Sequence, residues 1–333
     1  ASSRSCGGSG TVKCNERRIN HDDKRSEGWG GRMMNVVECK DVSKRYYGGT
    51  HYALKNTTFQ IEQNKITGLI GRNGAGKSTL LKLIAGFMYE TSGDIKVFGE
   101  RPFNNLLVSA NSIFVDDKMS LPATLNVSEI LQVSGTFYEK WDHELAQRLF
   151  DYFGFHPKQS HQSLSKGKSS TFNMILGLAS RCALTIFDEP TTGMDAAVRK
   201  DFYRALLKDY LANPRTIILS SHHMEEIEDI IEDVLLINEG KVVLHMPIEE
   251  FKEYAVGFTG PASLVDEWLA GKERIHSKEL EFEKVYAVVK NDFSSEVLDI
   301  AKHKGLEVSN VSASDLSVYM TDKTVGGIDD VFK

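Results

Sequence analysis

From Asn35 the chain alternates, with Val36, Val37, Cys39 and Val42 apolar around Glu38, Lys40 and Asp41, which reads as a strand with one face on a core. A second strand-like run follows in Ala53-Leu54-Lys55-Asn56-Thr57-Thr58-Phe59-Gln60-Ile61. The continuous apolar run 66–70 has the character of a buried strand, and Leu80-Leu81-Lys82-Leu83-Ile84-Ala85 has helical spacing. Between residues 114 and 177 the pattern turns mainly helical, with spaced apolar positions over 125–133 and 144–153, and predicts a helical insertion. Strands return at 183–187, 216–220 and 234–237, with a helix over 196–211. Alternating strands and helices argue for an α/β fold with a mostly parallel sheet. Beyond about residue 247 a smaller α+β unit is expected, with a strand at 284–289, a helix over 294–304 and a strand at 316–320.

Residues 1–33 differ from everything after them. Ser, Gly, Arg and Asp dominate, apolar periodicity is missing, and disorder is the expectation. The segment lacks the apolar stretch of a secretory signal. Because Met33-Met34 stands directly before the first ordered pattern, the native chain is expected to start there, with the preceding residues foreign to it.

A length of 333 residues suits two domains, and 41% hydrophobic with 26% charged residues is ordinary for a globular protein. The net charge of -6 gives no general attraction to nucleic acid or anionic lipid. No apolar run approaches the roughly 18 residues of a spanning helix, so the chain is not expected to cross a membrane by itself. Cys6, Cys14, Cys39 and Cys182 form no C-x-x-C pair, which suggests neither a zinc site nor a disulfide framework.

Gly71-Arg72-Asn73-Gly74-Ala75-Gly76-Lys77-Ser78-Thr79 fits G-x-x-x-x-G-K-[ST] between a strand and a helix. Glycines there let successive N–H groups and the following helix N-terminus meet phosphates without Cβ clashes. Lys77 is placed to reach the β- and γ-phosphates of ATP or GTP, and the Ser78 hydroxyl to ligate Mg²⁺. The apolar run 183–187 ends in Asp188-Glu189-Pro190, two carboxylates at the ligand-binding edge of a sheet. One suits the metal (Asp188) and the other the attacking water (Glu189).

With Leu164-Ser165-Lys166-Gly167-Lys168 ahead of a helix, the chain resembles the ATP-binding subunits of ABC transporters, whose signature is L-S-G-G-Q. Ser165 and Gly167 match; Lys166 replaces a glycine and Lys168 the glutamine. Gly193-Met194-Asp195 is similar to the family's loop toward a partner subunit, with Asp195 its aspartate, and Leu219-Ser220-Ser221-His222 to its switch-histidine strand. Of Tyr46 and Tyr47, Tyr47 better fits the adenine-stacking aromatic. Where the family carries a glutamine near Mg²⁺ and the water, spacing back from Leu125-Asn126-Val127 places Asp117.

The resemblance implies a P-loop NTPase with a RecA-like core over residues 34–248. It carries an N-terminal antiparallel β subdomain and a helical insertion at about 116–177, and 249–333 follow as an accessory α+β domain. It implies ATP and Mg²⁺ as cofactors, catalysis by Lys77, Glu189 and His222, and metal binding by Ser78, Asp188 and Asp117. The nucleotide is expected on residues 71–79 and Tyr47, with Ser165, Gly167 and Asp195 completing a site across a dimer. Expected partners are a second ATPase subunit, alike or different, and a multi-span permease that holds the chain on the inner face of the cell membrane. Export, as in drug, antibiotic or peptide systems, is the expected direction, and no nucleic-acid partner is expected. The alternative within the family is an ATPase acting on the ribosome or nucleic acid, which usually carries two cassettes or long coiled-coil insertions. A P-loop GTPase or small-molecule kinase would need a guanine motif N-K-x-D or an acceptor site, and would leave the signature and His222 unexplained.

Overall fold

The computed structural model describes residues 35–321, so the expectations for residues 1–33 lie outside them. β1 (Asn35–Arg45) and β2 (Tyr52–Glu62) pair antiparallel, and their alternation buries Val37, Cys39, Val42, Leu54, Phe59 and Ile61 in one cluster. β3 (Ile66–Ile70) is buried along its whole length and runs through the glycine-rich loop into α1 (Lys77–Ile84). β4 (Ser92–Val97) comes back to β1 and completes a three-stranded antiparallel sheet of order β2-β1-β4.

α2 (Leu106–Asn111) leads into β5 (Ser112–Val115), and then α3 (Val127–Phe137), α4 (His143–Tyr152) and α5 (Lys166–Ser180) form the helical insertion. Their starts are written in the sequence. Asn126 and Glu129 make a reciprocal capping box, Asp142 accepts from Leu145 N, and Ser165 accepts from Lys168 N. α5 is buried from Ser170 to Ser180, which makes it the pillar against which α3 and α4 lean.

The chain then returns through β6 (Leu184–Asp188), α6 (Ala196–Ala212), β7 (Thr216–Ser221), β8 (Asp233–Asn238) and β9 (Lys241–Pro247). These strands form a six-stranded sheet of order β5-β6-β7-β3-β8-β9, parallel except for β9. The central place of β3 sets its loop beside the carboxyl ends of β6 and β7, the edge where open α/β sheets bind ligands.

Near the other end of this layer, Asp209 is 7% exposed and lies 3.2 Å from Arg181 Nη2 and 2.8 Å from Arg215 Nη1, the second contact being charge on charge without hydrogen-bond alignment. Removing the carboxylate strands a buried guanidinium. Asp209→Ala should therefore cost about 3 kcal/mol, read as a lower urea midpoint at unchanged slope.

α7 (Ile248–Lys252) leads into β10 (Ala255–Pro261), α8 (Ala262–Trp268), β11 (Arg274–Leu280), β12 (Lys284–Lys290), α9 (Ser295–His303), β13 (Glu307–Asn310) and α10 (Ala313–Thr321). The order β-α-β-β-α-β with an antiparallel sheet β11-β12-β10-β13 is a ferredoxin-like arrangement. Phe258, Val265, Leu269, Ala301 and Leu306 make its own core, whereas Ala255, Val288, Val311, Ala313 and Leu316 belong to the large cluster shared with the six-stranded sheet and the helical insertion.

The strand expected at 316–320 is a helix. Ser312 Oγ accepts from Asp315 N and donates to Asp315 Oδ2, and the buried positions Ala313, Leu316, Ser317 and Thr321 recur at helical spacing. A capping signal four residues ahead of Leu316 outweighs its short apolar run. Among the described residues, no helix is long and apolar enough to cross a membrane. Cys39 and Cys182 are buried free thiols; burial pushes both up, Cys182 to about 11.

Candidate functional site

Three glycines shape the loop between β3 and α1. A Cβ on Gly71 would stand 2.3 Å from the Ile237 carbonyl oxygen, and one on Gly76 2.6 Å from that of Ala53. Gly74, at φ +82°, has nothing within 4 Å of its Cβ position. The loop is pressed against β2 and β8 on its inner side and open at Gly74. Gly76 caps α1 with no side-chain acceptor, so the first-turn N–H groups, among them those of Ser78 and Thr79, are directed at an anion's position. Arg72, Asn73 and Ala75 complete the turn, with Ala75 N donating to Arg72 O.

Lys77 is 5% exposed and curls back into this loop. Its Nζ donates to Gly71 O at 2.7 Å and Arg72 O at 3.3 Å, and lies 3.1 Å from Glu189 Oε1. The other oxygen, Glu189 Oε2, lies 3.4 Å from His222 Nδ1. Asp188, 8% exposed at the end of β6, accepts from Ser220 Oγ at 2.7 Å, and Ser220 Oγ in turn accepts from Glu189 N at 3.0 Å. Ser220 was not singled out by the sequence, although it sits two residues before His222. Glu189 adopts φ +47°, a left-handed conformation that a non-glycine residue holds only where its surroundings fix it. The structure thus gathers Lys77, Asp188, Glu189 and His222 on one edge of the sheet.

The remaining candidates lie elsewhere. Ser165 caps α5, and Asp195 caps α6 with Oδ1 accepting from Ala197 N and Val198 N. The two helix starts are pressed together, since a Cβ on Gly167 would stand 2.4 Å from the Gly193 carbonyl oxygen and Ser170 Oγ donates to Thr192 O at 2.9 Å. Thr192 Oγ1 continues to Glu189 O at 2.8 Å. Lys166 Nζ is 3.4 Å from Asp117 Oδ2. Lys168 turns away, donating to the Phe153 carbonyl with its ammonium 4.9 Å over the Phe155 ring.

Asp117 therefore faces a signature lysine. Its neighbour Asp116 is the carboxylate that burial pushes up, the nearby charges of Asp188 and Asp117 adding to the rise while the Lys118 N–H and Lys82 oppose it. Tyr47 is fully exposed, whereas Tyr46 brings its hydroxyl within 3.0 Å of Thr79 Oγ1.

Metal chemistry is compatible with this donor set. Ser78 and Asp188 offer hard oxygens, and among the described residues no group of three or more His, Cys, Asp or Glu converges to cage a metal without help. Mg²⁺ characteristically takes one or two protein oxygens and completes its shell with phosphates and water.

Comparison with known proteins places the chain among ATP-binding transport proteins. The profile of the family described as ABC transporter matches residues 54–192. The zinc uptake system ATP-binding protein ZurA of Listeria innocua is 30% identical over 240 residues, 67% of this chain and 90% of the relative. The bacitracin transport ATP-binding protein BcrA of Bacillus licheniformis is 29% identical over 228 residues, 66% of this chain and 72% of the relative. Among solved structures, a dimeric ATP-binding cassette in a post-hydrolysis state bound to ADP and phosphate superposes with a TM-score of 0.57 at 20% identity, over 64% of this chain and 98% of that one.

Proposed function

The chain belongs to the ATP-binding subunits of ABC transporters, and on that premise we propose that this ATPase drives a separate membrane-spanning permease, as an exporter, by closing on ATP as a dimer. The observation that carries the reading is the meeting of Lys77, Asp188, Glu189 and His222, with Ser165 and Gly167 on the separate surface at the start of α5.

When ATP binds, Lys77 exchanges the loop carbonyls and Glu189 for the β- and γ-phosphates. That frees Glu189 Oε1, while His222 keeps hold of Oε2, so the carboxylate is turned toward a water in line with the γ-phosphate. The φ of Glu189 and the Ser220 bridge fix where it points. The Ser78 hydroxyl and the Asp188 carboxylate would hold Mg²⁺, which when bound would neutralise phosphate charge. Asp117 stands where the family carries its glutamine, with Asp116 as its neighbour. The exposed Tyr47 stacks on the adenine.

Ser165 and the Gly167 N–H serve the nucleotide of the opposing subunit, with Asp195 at the same interface. Each charge-assisted hydrogen bond to the γ-phosphate contributes roughly 1.5 to 3 kcal/mol. Hydrolysis removes the group that both sides hold, and the dimer loosens.

The permease contact is proposed at a groove of about 510 Å³ lined by Lys82, Phe87, Phe114, Asp116, Met119 and Tyr138. Phe87 is 61% exposed beside it, and Asp116 connects it to the nucleotide edge. Through this groove the chain sits on the inner face of the membrane. Export draws support from the single cassette with its small α+β extension, the arrangement of the export subunits that the sequence resembles; of the relatives, one is named for bacitracin transport and one for zinc uptake. Purification from native membranes in mild detergent should recover a multi-span protein whose recovery falls with Phe87→Asp. Recovery of ribosomal RNA instead would overturn the transport reading.

A further inference from the structure

α10 reaches the nucleotide edge from the far end of the chain. It packs on the 3₁₀ turn Met224–Glu226, which comes directly after His222 and His223. Val311, Ala313 and Leu316, each at most 5% exposed, share one apolar cluster with Met224 and Ile227. The C-terminal helix is therefore part of the core that holds this turn.

Along the surface of that contact runs a line of polar groups. Ser314 Oγ donates to Glu225 Oε2 at 2.8 Å, and Glu225 Oε1 lies 3.6 Å from His223 Nδ1. The His223 ring is 4.0 Å from the His222 ring at 44°, and His222 Nδ1 is 3.4 Å from Glu189 Oε2. Burial raises the Glu225 carboxyl, yet its own backbone N–H, the Ser314 hydroxyl and the two histidines together hold it below the usual carboxylate value. Each link is partly exposed and worth little alone. The buried seat of α10 gives them a fixed frame.

On its other side α10 is held by the ferredoxin-like sheet. Tyr319 stacks on His276 of β11 with centroids 4.0 Å apart and planes 10° from parallel. α10 thus touches the ferredoxin-like sheet through Tyr319 and the turn through Ser314.

The geometry points to Ser314, Glu225 and His223 as positioning residues that set His222, and through it Glu189, from the C-terminal unit. None of the three reaches a reacting atom. The inference rests on the hydrolytic reading of Glu189 and extends it to residues outside the nucleotide site. It assigns the accessory unit a control over the rate of hydrolysis rather than over ATP affinity.

The test uses the full chain with Ser314→Ala, Glu225→Gln and Ser314→Thr. Ser314→Ala and Glu225→Gln should lower kcat about fivefold or more with KM for ATP unchanged. Ser314→Thr, which retains the hydroxyl, should restore it. In protein labelled at histidine, the His222 imidazole resonances should move in Ser314→Ala and return in Ser314→Thr. Parental kcat in both disabling variants together with unmoved His222 resonances would overturn the inference. The parent and Glu189→Gln in the same assay report separately on the underlying reading: hydrolysis that does not depend on Glu189 would sink that reading, while displaced His222 resonances would still uphold the positioning line.

Discussion

Glu189→Gln leaves ATP bound and unhydrolysed. The amide keeps the shape of the carboxylate and tolerates φ +47° as well as Glu does, but it cannot take a proton from water. Phosphate release is expected to fall by roughly 10²- to 10⁴-fold, the usual contribution of a positioned general base. Binding is expected to hold or tighten, because one negative charge is removed from the neighbourhood of Lys77 and the incoming phosphates. With hydrolysis blocked, the γ-phosphate stays in place and the closed dimer accumulates. Single-turnover phosphate release and size-exclusion chromatography in ATP check both halves. Parental turnover would remove Glu189 from the mechanism, and a fast-dissociating monomer in ATP would remove the γ-phosphate as the bond between subunits.

Gly76→Ala should abolish nucleotide binding and lower stability together. At φ +108° Gly76 lies beyond the left-handed region that side chains occasionally occupy, so any Cβ is strained before it meets a neighbour. That Cβ would then stand 2.6 Å from Ala53 O and 3.0 Å from Leu54 Cδ2. Neither can retreat easily, because Lys55 N donates to Gly240 O and Gly240 N to Ala75 O at 2.9 Å, binding β2, the loop and the β8–β9 turn into one piece. We expect a loss of about 2 kcal/mol or more. The stabilisation that ATP gives the parent in thermal unfolding should vanish. A variant that melts as the parent does and retains its shift in ATP would show that the loop is softer than its contacts imply.

Much of this architecture is legible in the sequence because its determinants are local. The run 66–70, the glycines after it and the spaced leucines of α1 lie within 20 residues and name strand, loop and helix in order. Asn126 with Glu129, and Asp142, likewise announce α3 and α4. What the sequence hides depends on partners far along the chain. Ser220 becomes a bridge between Asp188 and Glu189 only when β6 and β7 pair. Lys166 meets Asp117 across 48 intervening positions, and nothing in either neighbourhood foretells it. The strand expected at 316–320 failed for a different reason: a short apolar run has no period of its own, and the Ser312 cap decided it. β10 and β13 escaped the reading because glycine and polar residues interrupt them, and their pairing to each other supplies the order that their side chains do not.

The meeting of Gly167 with Gly193 leaves no slack between the start of α5 and the loop that follows Glu189. Ser170, Thr192 and Glu189 continue the same rigid piece by two hydrogen bonds of 2.9 and 2.8 Å. In a dimer whose opposing nucleotide rests on Ser165 and Gly167, this piece touches one ATP with its outer end and works on the other with its inner end. If the chain closes as the proposed dimer, the two nucleotides would be joined by this one solid part, and a change at one would reach the other through it.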